Sequence, residues 1–139
     1  MIEPNTLPVI LVVDDSPTTL MTIATSLDQL YDVRALTSGT EALELLDTIR
    51  PDLVILDVMM PDLDGYETCR RLKALPDFKD VPVLFNTALN TPDDENRCFA
   101  AGGADFITKP FNPVTMRARI QTHLLLRQLQ QRLKALQPA

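Results

Sequence analysis

Side chains of the kind that handle phosphate and hard metal ions stand at the ends of four apolar runs in this sequence. Val9-Ile10-Leu11-Val12-Val13 stops on Asp14 and Asp15, and Leu53-Val54-Ile55-Leu56 stops on Asp57. Val81-Pro82-Val83-Leu84-Phe85 runs through Asn86 to Thr87, and Ala104-Asp105-Phe106-Ile107-Thr108 is followed by Lys109. Short apolar runs bounded by turn residues read as strands buried on both faces, and in a parallel sheet their C-terminal ends share one rim, where crevices form. Three carboxylates, a hydroxyl and an ammonium would converge there. Carboxylates that close repel one another unless a cation joins them. Oxygen donors suit a hard divalent ion: Mg2+, with Mn2+ as a substitute, held by two carboxylates and a backbone carbonyl and keeping several waters. Such a site can receive a phosphoryl group on Asp57, with the carboxylate attacking, the metal screening the transferring oxygens, and Thr87 and Lys109 contacting them.

The elements that must position these groups follow from caps and periodicity. Ser16-Pro17 opens a helix with its apolar stripe at Leu20, Ile23, Ala24 and Leu27. Tyr31 to Leu36 is a shorter and less apolar strand, placed toward an edge of the sheet. Ala42, Leu43, Leu45, Leu46 and Ile49 predict a second helix ending before Pro51, and Tyr66 to Leu75 a third. Thr91-Pro92 caps a helix running to about Ala101, where Gly102-Gly103 stops it, and Asn112-Pro113 opens the last one. Five strand and helix alternations predict an α/β fold, a doubly wound parallel sheet with helices on both faces. Alternation does not give the strand order.

At 139 residues the chain fits one domain, expected over 9–126, with a flexible N-terminus over 1–8 and a helical extension over 127–139. Its formal charge of -6 argues against a nucleic-acid or membrane surface and in favour of protein partners. Cys69 and Cys98 sit inside helical patterns, a poor disulfide framework that fits a reducing cytoplasm. Neither a signal peptide nor a membrane-spanning run is expected.

Val12-Val13-Asp14-Asp15-Ser16, the stretch Asp52 to Gly65, Thr87-Ala88 and Lys109-Pro110-Phe111, in this order and at these separations, resemble the response-regulator receiver domain of bacterial two-component signalling. The likeness runs from about Pro8 to Leu126. It implies a flavodoxin-like receiver fold with strand order 2-1-3-4-5 and Asp57 as phosphoacceptor. It also implies direct Mg2+ ligation by Asp15, ligation mainly through water by Asp14, and a further ligand in the Met59 backbone carbonyl. Thr87 would move toward the phosphoryl oxygen, Lys109 would bridge to it, and Phe106 would be the aromatic whose rotamer follows Thr87. A sensor histidine kinase or phosphotransfer protein would be the donor. Phosphotransfer to Asp57 and autodephosphorylation would be self-catalysed and serve as a switch.

Where the family more often has a small or apolar residue, this chain has Asn86, which needs hydrogen-bond partners if buried. Met59 and Leu89, two residues past Asp57 and Thr87, stand where the family tunes access of the hydrolytic water; both are apolar, so slow self-dephosphorylation is expected. Tyr66 reads as packing, and His123 as a surface or interface residue.

From Pro113 to about Leu136 the helical pattern continues for some 36 Å. Val114, Met116 and Ile120 can cover the sheet, while Leu126, Leu129, Leu133 and Leu136 follow coiled-coil spacing. Two readings compete: a linker helix leading to an output domain, which the uncapped seam favours, or a single-domain protein whose last helix packs on a homodimer mate. A phosphate-free receiver-like module is the main rival to phosphorylation control, but it usually loses an acid or the lysine. A haloacid-dehalogenase-like phosphatase would want an acid where Met59 stands, and a flavodoxin a phosphate-cradling loop where Asp15-Ser16-Pro17 stands.

Overall fold

The computed structural model of the chain describes residues 6–137 and forms one parallel sheet in the order β2-β1-β3-β4-β5. The strands are β1 (Val9–Val13), β2 (Asp32–Leu36), β3 (Leu53–Asp57), β4 (Val83–Thr87) and β5 (Asp105–Thr108). Every residue of β3 and β4 is buried, and so are four of the five in β1, which explains their unbroken apolar runs. The edge strands β2 and β5 are only partly covered, and their sequences mix polar with apolar residues accordingly. The fold class and strand order are those expected, and β2 lies at an edge.

Between the strands run α1 (Pro17–Leu27), α2 (Gly39–Leu45), α3 (Gly65–Ala74), α4 (Pro92–Ala100) and α5 (Pro113–Leu136). Side-chain alternation along the strands splits the core into two layers. Leu11, Val13, Val54, Leu56, Val83 and Phe85 pack on one face with Cys69, Leu72 and Cys98. Ile10, Val12, Ile55, Leu84 and Ile107 pack on the other with Ile23, Leu27, Met116 and Ile120. Each such aliphatic side chain, fully removed from water, contributes about 1.5–3 kcal/mol, so the sheet's centre is its most strongly held part.

The caps work as read. Ser16 Oγ accepts from Thr19 N at 3.3 Å, Thr91 and Asp94 form a capping box, and Asn112 Oδ1 accepts from Val114 N at 2.8 Å. Helix α2, however, stops at Leu45, short of Ile49. The amides of Thr48 and Ile49 both donate to Leu45 O at 3.0 Å, and Thr48 Oγ1 adds a third bond at 3.1 Å, tightening the chain into a turn. A 3-10 turn over Pro76–Phe78, not foreseen, tucks Phe78 into the core.

In α5, Met116 and Ile120 are buried against the sheet as expected, but Val114, two positions and so about 200° around the helix from Met116, is exposed. The expected flexible N-terminus falls partly on residues 1–5, which lie outside the described residues, as do 138–139 of the expected extension. Among the described residues no helix is long and apolar enough to cross a membrane. The body holds α5 by pairs spread along its length. Arg119 Nη1 and His123 Nε2 meet Asp105 Oδ2 at 2.9 and 3.1 Å, Arg127 Nη1 meets Asp52 Oδ1 at 2.7 Å, and Lys134 pairs with Asp80. His123 is thus a half-buried partner of Asp105. Leu126, Leu129, Leu133 and Leu136 of α5 remain exposed.

Candidate functional site

The register of the strands aligns their polar ends. Asp57 on β3 pairs with Asn86 on β4, which pairs with Ile107 on β5, two residues before Lys109. Val12, Ile55, Leu84 and Ile107 share the sheet face covered by α1 and α5, so alternation brings Asp14, Asp57, Asn86 and Lys109 to that same face at the C-terminal rim.

Asp14, Asp15 and Asp57 each offer a carboxylate oxygen, and these oxygens lie within 4.8 Å of one another. Asp14 and Asp57 are buried, at 1% and 6% exposure, while Asp15 is open to solvent. Asp14 is fixed from behind: its Oδ1 accepts from Ser16 N at 2.9 Å, and its own amide donates to Leu36 O at 3.1 Å. Lys109 Nζ reaches Asp14 Oδ2 at 3.0 Å and Asp57 Oδ1 at 3.3 Å. Its own N–H donates to Thr87 O at 2.8 Å, and a cis peptide bond joins it to Pro110.

Burial, with the Asp14 charge beside it, pushes the Asp57 carboxyl above the ordinary range, although Lys109 pulls the other way. Burial also works against the Lys109 ammonium, but its hydrogen bond to Asp14 and the charges of Asp57 and Asp14 outweigh that cost and hold it charged. Three carboxylates and one ammonium leave an excess of two negative charges. Hard oxygen donors with that excess fit a small divalent ion.

Thr87 is brought to the same rim but stands off from the carboxylates: it is buried, and its Oγ1 accepts from Leu89 N at 3.0 Å. Phe106 is half-buried against the core, edge-on to Phe99 with ring centroids 6.2 Å apart. Met59 is 69% exposed at the lip of the pocket, where it and Leu89 help to line a groove of about 600 Å³ with Pro61, Tyr66 and Arg97. Tyr66 is packed, as expected, with its ring 5.6 Å from that of Phe85 and the Arg97 guanidinium 4.6 Å from its centroid.

One positioning residue was missed. Gly65, named above only as the end of the stretch that begins at Asp52, begins α3 directly against the end of β3: a Cβ there would overlap the Asp57 carbonyl oxygen and lie 2.8 Å from Val58 Cα. Its amide donates to Val58 O at 2.8 Å. The signal was present as Asp64-Gly65, with Asp64 capping the helix through Glu67 N at 2.8 Å.

A parallel sheet in this order defines the flavodoxin-like class of doubly wound domains, and here its C-terminal rim carries an acidic, lysine-bridged pocket. The model of the response regulator receiver domain matches residues 10–121, and the chain belongs to that family. It is 39% identical over 115 residues to a probable cyclic di-GMP phosphodiesterase of Vibrio cholerae, covering 83% of this chain and 26% of that protein. Among solved structures it resembles the signal receiver domain of a signal transduction histidine kinase from Syntrophus aciditrophicus. That match has 40% identity and a TM-score of 0.78, over 84% of this chain and 89% of that one. It also resembles the BeF3-activated DrrB receiver domain of Thermotoga maritima, with 35% identity and a TM-score of 0.78, over 86% and 98%. The chain spans half or less of the curated relatives it matches.

Proposed function

We propose that this chain is a signalling switch that takes a phosphoryl group on Asp57 from a phosphohistidine of a sensor kinase or phosphotransfer protein. An Asp57 carboxylate oxygen attacks phosphorus, the phosphorus–nitrogen bond breaks, and the histidine leaves as its imidazole while Asp57 becomes an acyl phosphate. The observation that carries this reading is the acid cluster under one lysine: Asp57 buried, within 4.8 Å of the oxygens of Asp14 and Asp15, and touched by Lys109.

Asp15, Asp14, Asp57 and the Met59 carbonyl would hold Mg2+ or Mn2+, which when bound supplies charge neutralisation for the transferring oxygens. Lys109 keeps its charge and follows the phosphoryl oxygens out of the pocket. The Thr87 hydroxyl gives up the Leu89 amide to reach them, and Phe106, packed on the same layer, fills the space that Thr87 leaves. Apolar Met59 and Leu89 flank the approach and offer no group to orient an attacking water, so the acyl phosphate lasts minutes or longer.

The state is passed on through α5. Its exposed leucines suit a helical partner, either an output domain or a second copy on activation. A cytoplasmic setting follows from the phosphodonor and the free thiols. Incubation with Mg2+ and acetyl phosphate, read by intact mass, is expected to add one phosphoryl group to the wild type and none to Asp57→Asn. No Mg2+-dependent gain in the wild type refutes the reading, and decay within seconds refutes the long lifetime.

A further inference from the structure

Asn86 occupies a place in the row of polar strand ends that the switch chemistry leaves idle. Across the sheet the order is Asp14 on β1, Asp57 on β3, Asn86 on β4 and Lys109 after β5, all directed to one face. Lys109 Nζ lies 3.3 Å from Asp57 and 3.0 Å from Asp14, so its side chain spans β4 at the C-terminal rim, and the β4 residue in register with Asp57 is Asn86. Asn86 is 2% exposed, yet neither its Oδ1 nor its Nδ2 has a hydrogen-bond partner among the described residues. A buried amide with both ends unanswered is costly, and an apolar residue of the same size would pack there without that cost.

Phosphorylation changes what surrounds this amide. In the resting site Lys109 occupies Asp57 Oδ1. When a phosphoryl group is attached, the ammonium follows the new oxygens outward, and the acyl carbonyl oxygen of Asp57 loses its donor. The strand carrying Asn86 is the one between them, paired in register with Asp57 about 4.8 Å away.

We propose that Asn86 is a member of the phosphoryl site, silent in the resting state and engaged when Asp57 is phosphorylated: Nδ2 donates to the acyl carbonyl oxygen that Lys109 vacates. The amide then favours the phosphorylated state over the resting one because only the former gives its NH2 group an acceptor. This inference rests on Asp57 being the phosphoacceptor and names a residue of the chain that stabilises the acceptor's modified form.

The test uses beryllofluoride with Mg2+ as the phosphoryl mimic on the full chain, read in two ways. In the wild type, the side-chain NH2 resonances of Asn86, assigned by their loss in Asn86→Leu, shift on adding beryllofluoride to the Mg2+-loaded protein. Asn86→Leu melts at a higher temperature than the wild type when resting, but binds beryllofluoride about tenfold more weakly, the effect of one hydrogen bond to a charged group. A wild type that binds beryllofluoride while the Asn86 resonances stay in place overturns the inference and leaves Asp57 as acceptor. So does an Asn86→Leu variant of unchanged affinity. A wild type that binds no beryllofluoride and gains no phosphoryl mass overturns both.

Discussion

Replacing Asp57 with asparagine should make the resting protein more stable. The carboxylate oxygens of Asp14, Asp15 and Asp57 lie within 4.8 Å of one another. At an effective dielectric constant of about 20, two charges at that distance repel by about 3.5 kcal/mol, so the two pairs involving Asp57 amount to about 7 kcal/mol. Lys109, 3.3 Å from Asp57, returns about 5 kcal/mol on the same scale. The difference of about 2 kcal/mol is reduced by solvent around exposed Asp15 and increased by the desolvation of the buried carboxylate. For a chain of this size, Asp57→Asn should therefore raise the melting temperature by about 5–8 °C at pH 7 without divalent ions. The sign follows from the raised carboxyl of Asp57. The stability tied to this group is full below the unfolded value near pH 4 and is lost as the pH climbs through the higher folded value. The advantage of the variant should accordingly vanish near pH 3. Mg2+ should raise the melting temperature of the wild type far more than that of Asp57→Asn. Thermal unfolding followed by circular dichroism measures all of this. A variant no more stable than the wild type at pH 7, or one whose advantage persists undiminished at pH 3, refutes the electrostatic account.

Gly65→Ala forces a methyl group into the Asp57 carbonyl and Val58; it should cost about 2–3 kcal/mol in urea unfolding and slow phosphoryl uptake, and normal values for both would count against the close approach. Cys69 and Cys98 are buried, and burial pushes the Cys69 thiol up to about 11, so a thiol-specific chromophoric reagent should titrate neither in the native protein and both in urea. Arg127→Ala removes the 2.7 Å pair with Asp52, should cost about 1 kcal/mol, and should speed amide exchange in the second half of α5 while leaving β3 protected; unchanged exchange there would show that the pair does not hold the helix.

The core strands were legible because burial on both faces leaves only apolar residues, and their polar endings marked the rim before any geometry was known. Helix starts were equally plain where a capping side chain precedes a proline, as at Ser16, Thr91 and Asn112. The end of α2 was not, because Leu46 and Ile49 continue the apolar pattern while the backbone amides of Thr48 and Ile49 turn back to Leu45. Val114 was grouped with Met116 and Ile120 because all three are apolar, but it lies about 200° around the helix from Met116 and faces away from the sheet. The grouping of Asp14, Asp15 and Asp57 could be anticipated from strand ends, whereas their separation, the crossing of Lys109 over β4 and the lack of room at Gly65 are properties of register. His123 found its carboxylate on β5, a partner 18 residues away that no local spacing reveals.

The grip of the body on α5 is tightest at mid-helix. Arg119, the first of the paired residues, is 42% exposed; His123, which shares Asp105 with it, is at 14% and Arg127 at 17%; at Lys134 the figure is 61%, where solvent screens the pair to little effect. The helix is therefore a cantilever, clamped at its middle to the starts of β5 and β3 and nearly free at its tip. A partner that captures the distal leucines competes only with the weakest tie, and a shift of the loop after Lys109 reaches that tip as a swing of a stiff rod.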